Sequence, residues 1–263
     1  MRNTGEPTAR YVLLEGKRFY TESVTINSSA PTIIFLHDSL GCVQLWRSFP
    51  QLLSAALGYN VFAYDRLGYG RSDPMAGYHR AVDYMEQEAN TLYQLLELAG
   101  ITQPVLFGHS DGGTIALLAA AMYPNRFSAL VVEAAHIYVE PLTIAGIQTA
   151  SKAYGETDLP ARLAKYHGTH TDTLFKAWTH IWTSDAFRNW NISSFLPSIV
   201  APLLFLQGAL DEYGTQQQVS DTLRLVKGVA RSVILPGIGH TPHKEAPDLV
   251  LTHTVDFLQS LNL

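Results

Sequence analysis

The chain has 263 residues, 47 % of them hydrophobic and 16 % charged, which excludes intrinsic disorder as its main state and supplies enough core for one large α/β domain. Its formal charge is 18 − 23 = −5 with the histidines neutral, so neither nucleic acid nor an anionic membrane is an expected partner. Cys42 is the only cysteine, which excludes an internal disulfide and a cysteine metal cluster.

In chain order, residues 1–10 are polar and carry no stretch resembling a signal peptide. Residues 11–14 and 18–24, joined by Glu15-Gly16-Lys17, read as an antiparallel hairpin at a sheet edge. The short apolar runs 32–37, 60–64, 104–107, 127–132, 203–206 and 231–235 read as strands buried on both faces. Between them, 44–57, 81–98, 114–123, 216–226 and 247–261 read as helices, the second with Gly100 just past its end. The longest apolar run, 115–122, is far shorter than the roughly 20 residues a membrane span needs. Strands alternating with helices imply parallel crossovers, hence a mostly parallel sheet with helices on both faces.

Residues 136–201 interrupt the alternation. They hold Trp178, Trp182 and Trp190, three of the four tryptophans, and no convincing strand. The expected organisation is one catalytic core, 1–136 and 201–263, with a helical lid over 137–200.

The string that carries chemistry is Phe107-Gly108-His109-Ser110-Asp111-Gly112-Gly113, placed where a predicted strand gives way to a predicted helix. A serine hydroxyl is a weak nucleophile unless it is held exposed beside a base and an oxyanion site. A very sharp strand–turn–helix does this, and its crowded backbone admits only glycine two residues before and after the serine. The helix amides then face the developing oxyanion, with the N–H of Asp111 as one donor. The competing reading, a serine cap on a nucleotide-binding turn, lacks both G-x-G-x-x-G and a P-loop lysine here.

A nucleophilic serine needs a histidine base, and the histidine needs a carboxylate. In a parallel sheet both belong on loops after later strands. Asp211 follows the 203–206 strand and His240 the 231–235 strand, giving the chain order Ser–Asp–His. Glu212 is the alternative acid. His243 is the weaker base, because Pro242 lies between the two and the glycine-flanked position of His240 better suits a base presented on a loop. The spacing of His240 and His243 could suggest a metal pair, but Pro242 prevents a regular helix and no acidic third ligand is evident. His167 and His170 read as surface histidines of the lid. The second oxyanion donor is expected from His37-Asp38-Ser39-Leu40-Gly41, with Ser39 N–H the candidate and Leu40 the alternative. His37 is expected to tie down that loop. Asp38 either turns away to accept backbone amides or meets a cation on the substrate. Asp38, His109, Trp178 and Trp182 are the expected substrate contacts, with Trp190 and Phe187 also assigned to an apolar pocket.

The elbow, the loop after the 32–37 strand, and Asp211 and His240 in that order resemble the α/β-hydrolase superfamily, as does Tyr64-Asp65-Arg66-Leu67-Gly68-Tyr69-Gly70-Arg71-Ser72. The resemblance spans almost the whole chain. It implies an eight-stranded α/β-hydrolase fold. Ser-Asp-Gly-Gly followed by an alanine-rich helix and Tyr123-Pro124 is similar to the biphenyl-hydrolase-like (valacyclovir hydrolase) group. That likeness implies hydrolysis of amino-acid esters, with Asp111 at the position associated with an α-amino preference. The chain departs from it at His37-Asp38, where relatives read His-Gly. Relatives that open epoxides or displace halide carry an aspartate where this chain has Ser110.

The expected function is therefore a serine hydrolase cleaving a carboxylic ester of a small or medium acyl or aryl substrate. It would use Ser110, His240 and Asp211, need no cofactor or metal, and work in the cytoplasm. A C–C bond hydrolase of a ring-cleavage-type diketone and a ligand-binding receptor on the same residues are the rival expectations.

Overall fold

In the computed structural model, which describes residues 6–261 and 263, eight strands form one sheet in the order β1-β2-β4-β3-β5-β6-β7-β8. β1 (Thr8–Leu14) and β2 (Lys17–Val24) form the edge hairpin, and β2 pairs antiparallel with β4 (Asn60–Tyr64). β3 (Thr32–Leu36), β5 (Val105–His109), β6 (Ala129–Glu133), β7 (Leu203–Gly208) and β8 (Ala230–Leu235) continue from β4 in parallel.

The strands bury both faces because alternate residues enter two separate cores. Ile33 and Phe35 join one cluster, with Phe49 and Leu53 of α1 (Phe49–Leu57) and Val250 and Phe257 of α9 (Pro247–Gln259). Ile34 and Leu36 join the other, with Met85 and Leu92 of α2 (Tyr84–Ala99) and Ile115 of α3 (Asp111–Met122). Val219 of α7 (Gln216–Leu225) belongs to this second cluster. Apolar side chains on both faces are what a parallel sheet with crossover helices demands.

Between β6 and β7 the chain forms α4 (Pro141–Glu156), α5 (Leu159–His167) and α6 (Thr171–Thr183). Trp178, Trp182 and Trp190 are all buried there against the second cluster.

The expected helix over 44–57 is two pieces. A 3₁₀ turn over Val43–Trp46 ends at Arg47, whose φ of 54° breaks the helix. α1 then starts afresh with Pro50 in its first turn, where a missing N–H costs nothing. Pro242 likewise opens the short helix α8 (Pro242–Glu245) instead of preventing one, so His243 sits inside that turn. α2 begins at Tyr84, later than expected, and ends at Gly100 in the left-handed conformation (φ 66°) that glycine adopts without strain. Among the described residues no helix is long and apolar enough to cross a membrane.

Candidate active site

Ser110 stands between the end of β5 and the start of α3 with φ 54° and ψ −119°, a region that L-residues occupy only under constraint. The constraint is the backbone itself. A Cβ at Gly108 would press into the Gly112 carbonyl, and one at Gly112 would press onto the Leu36 carbonyl of β3. Gly112→Ala should therefore cost at least the roughly 1–3 kcal/mol of an overpacked core site, measured as a lowered denaturant midpoint.

The bend presents Ser110 Oγ to His240, whose Nε2 lies 3.0 Å away. On the other side of the ring, Nδ1 lies 2.9 Å from both carboxylate oxygens of Asp211. Asp211 follows β7 and is itself held: Oδ1 accepts the N–H of Tyr213 at 2.8 Å and of Gly214 at 3.2 Å, and Oδ2 accepts Gln207 Nε2 at 2.8 Å. Burial opposes its charge, but the His240 bond and these donors more than offset that, leaving its pKa at about 2. Burial alone would lower His240, yet Asp211, with Glu212 and Asp38 nearby, leaves its pKa raised above the ordinary 6.5. Glu212, the alternative acid, is exposed and makes no hydrogen bond to His240.

A cavity of about 210 Å³ opens onto Ser110 and His240. Asp38, Ser39, Leu40 and Asp111 line one part of it, and Trp178, Trp182, Thr143 and Ile147 from α4 and α6 line another. Asp111 N–H is the first amide of α3, with no acceptor inside its own helix. Ser39 and Leu40 both reach the wall. A larger hollow of about 540 Å³ lies at the other end of the strands, around Asn60 and Gln103. Ligands of parallel sheets bind at the strand C-termini, where Ser110 is.

His37 ties the loop down as the sequence suggested. Its Nδ1–H donates to the Asp38 carbonyl at 2.8 Å and its Nε2 accepts Arg66 N–H at 3.0 Å. Asp65 supports the same region by accepting the amides of Val43 and Arg71 at 2.6 and 2.8 Å. The Asp65-to-Ser72 string thus braces the loop that follows β3.

Asp111 and Asp38 differ in environment. The Asp111 carboxylate is 2 % exposed and lies 3.6 Å from Arg66 and 3.9 Å from Arg80, with Tyr84 Oη–H donating to it at 3.2 Å. Trp182 Nε1–H in turn donates to Tyr84 Oη at 3.0 Å. Asp38 does not turn away to backbone amides. Its side chain is 21 % exposed and faces the cavity, with the His109 ring nitrogen Nδ1 4.0 Å away and Lys244 the cation acting most strongly on its charge.

Three expectations are corrected. His109 is 1 % exposed and absent from the cavity wall; its Nε2–H donates to the His240 carbonyl at 2.7 Å, so it holds the base loop rather than substrate. Phe187 and Trp190 stack on each other, centroids 4.9 Å apart, behind Trp182 and outside the wall. His167 is buried, not on the surface: Gly70 N–H donates to its Nδ1 and its Nε2–H donates to the Leu40 carbonyl, both at 3.0 Å. His170 is half-buried. Sequence reasoning also missed His136 and Tyr213 in the cavity wall. His136 donates Nε2–H to the Tyr213 carbonyl at 3.1 Å, a contact across 77 residues that no local pattern announces.

Residues 31–180 match the family model described as alpha/beta hydrolase fold. The chain is 29 % identical over 205 residues to the human protein named serine hydrolase BPHL, covering 76 % of this chain and 70 % of that one. It is 34 % identical over 107 residues to an epoxide hydrolase of Caballeronia sordidicola, covering 41 % of this chain and 32 % of that one. In shape it is similar to a membrane phospholipase A described as a bacterial virulence factor, with a TM-score of 0.80 at 22 % identity over 97 % of this chain and 87 % of that one.

Proposed function

The chain belongs to the α/β-hydrolase fold family, and on that premise we propose that it is a serine hydrolase cleaving a carboxylic ester through an acyl-enzyme. The observation that carries the reading is one line of contacts: Ser110 Oγ 3.0 Å from His240 Nε2, and His240 Nδ1 2.9 Å from Asp211, opening onto a cavity. Ser110 attacks the ester carbonyl as its proton passes to His240 Nε2. Asp211 keeps the other ring proton on Nδ1 and stabilises the imidazolium. The amides of Asp111 and Ser39 receive the oxyanion. The imidazolium then protonates the leaving alcohol, and a water activated by the same base releases the acid.

The cavity supports a small or medium acyl or aryl group, since about 210 Å³ lies below the roughly 300–1,000 Å³ of pockets that enclose drug-sized ligands. Trp178 and Trp182 supply its apolar side, and α4–α6 act as the lid. Turnover of a panel of p-nitrophenyl and aryl esters, with fluorophosphonate labelling of Ser110, tests the reading. Absence of both would end it.

Asp38 favours a narrower version in which the substrate carries a cationic group. Asp111 already has Arg66 and Arg80 beside it, whereas Asp38 faces the cavity without a bonded partner among the described residues. An α-amino ester should then exceed its des-amino analogue in kcat/KM by roughly tenfold, the scale of one charge-assisted hydrogen bond. Asp38→Asn should remove that preference; equal values in the unsubstituted protein would exclude the version.

A further inference from the structure

We propose that Glu133 and His243 are positioning residues for the base, a second carboxyl–imidazole pair that never touches substrate. The proposal rests on the hydrolase reading above. Glu133 is the last residue of β6 and fully buried, and its Oε2 lies 2.6 Å from His243 Nδ1. Its carbonyl oxygen accepts the N–H of Ser110 at 2.8 Å. One residue therefore holds the nucleophile with its main chain and, with its side chain, the helical turn that begins just beyond His240.

The rest of the base loop is clamped around this pair. His109 donates Nε2–H to the His240 carbonyl, and its ring centroid lies 5.0 Å from that of His243 and 5.1 Å from that of His240. Glu245 accepts the amides of Gly239 at 2.8 Å and Thr241 at 3.0 Å. Neither Glu133 nor His243 reaches the cavity wall. A catalytic ring misplaced by about 1 Å costs on the order of 100-fold in rate, and a directional bond fixes the height and rotation of α8 more tightly than aliphatic packing does.

The pair is expensive as a purely structural device. Glu133 Oε1 and His243 Nε2 have no hydrogen-bond partner among the described residues. Apolar side chains of similar volume would fill this space, against Trp46 and Phe49, without the desolvation cost. Burial pushes the Glu133 carboxyl up to about 8 and holds the His243 imidazole down at about 3. Burial thus favours the uncharged form of the pair, whose Oε2 and Nδ1 lie 2.6 Å apart. The charged or titratable groups facing it are His109, Lys244 and His240 on the Glu133 side, and Lys244, Asp38, His240 and Glu245 on the His243 side.

The folded carboxyl keeps its proton to a higher pH than the unfolded one, whose ordinary value is 4.5. Its contribution to stability is complete below that value and is lost as pH rises toward about 8. As pH rises above the ordinary histidine value of 6.5 the unfolded His243 also becomes neutral, so the upper part of the window toward 8 reads Glu133 with little contribution from it.

The test compares Glu133→Gln, Glu133→Leu and His243→Phe on p-nitrophenyl acetate. Gln keeps a neutral donor toward His243 Nδ1; Leu and Phe fill the space without one. Leu and Phe should lower kcat by about 10–100-fold with KM nearly unchanged, and slow fluorophosphonate labelling of Ser110 in proportion. Gln should retain kcat within about threefold, and its melting temperature should decline less between pH 6.5 and 8 than that of the unsubstituted protein, in which both Glu133 and His240 titrate there. Wild-type kcat in a folded Leu or Phe variant would overturn the proposal, as would a Gln variant as impaired as Leu. If one apolar variant fails to fold, the other decides. Failure of Ser110 to label in the unsubstituted protein would instead remove the hydrolase reading.

Discussion

Ser110→Ala should lower kcat toward esters by on the order of 10³–10⁶ and abolish fluorophosphonate labelling. The size follows from what a single oxygen does here. Oγ is the group His240 Nε2 faces at 3.0 Å, and without it the base has only water to activate. The oxyanion amides and the cavity survive the substitution, so a residual rate above that of the uncatalysed reaction should remain. Stability should hardly change. The elbow strain sits in the backbone at φ 54°, which alanine inherits, and the lost hydrogen bond is worth about 1 kcal/mol. For a chain of this size that is about 2–4 °C of melting temperature. Full activity in a folded Ser110→Ala protein would exclude Ser110 as nucleophile, whatever the contacts around it.

The strands and the elbow were legible in the sequence because their signals are local. A buried parallel strand is a short apolar run, and the bend between β5 and α3 needs glycine at 108 and 112 for reasons confined to neighbouring backbone. Asp211 and His240 could be placed because each follows a recognisable strand at the sheet's C-terminal edge. Glycine-to-proline punctuation was less dependable. Pro242 read as an interruption, yet it occupies a first-turn position where its missing N–H is harmless, and the break in the helix expected over 44–57 came at Arg47, which carries no such mark.

What the sequence hid was partnership across long separations. His167 in α5 bridges Gly70 and the Leu40 carbonyl, 97 and 127 positions away, and so joins the helical segment to the loop after β3. Glu133 lies one residue past the run read as a strand over 127–132 and gives no sign of a partner until His243, 110 positions on, is folded against it. The same holds for Asp111. From the sequence it is an acid beside a nucleophile; in the fold Arg66 and Arg80 surround it, which shifts the search for a substrate-facing carboxylate to Asp38.

Asp211→Asn should lower kcat by roughly 10³–10⁴ while leaving the fold intact, because the environment of Asp211 dictates how an amide would orient. Oδ1 accepts two backbone N–H groups and Oδ2 accepts Gln207 Nε2–H as well as facing His240. The amide oxygen belongs at the two-amide position, which turns the NH₂ toward Gln207 and His240 Nδ1. A donor there forces the neutral ring to carry its proton on Nε2. His240 would then point a hydrogen at Ser110 Oγ and could no longer accept one. The pH profile separates this from simple loss of structure. The base works only when neutral, so kcat/KM falls as pH drops through the His240 pKa, which Asp211 raises above 6.5. Removing that charge should move the acid limb of the profile to lower pH even as the plateau collapses. An asparagine variant with an unmoved acid limb, or with near-native kcat, would show that the ring owes neither its tautomer nor its basicity to Asp211.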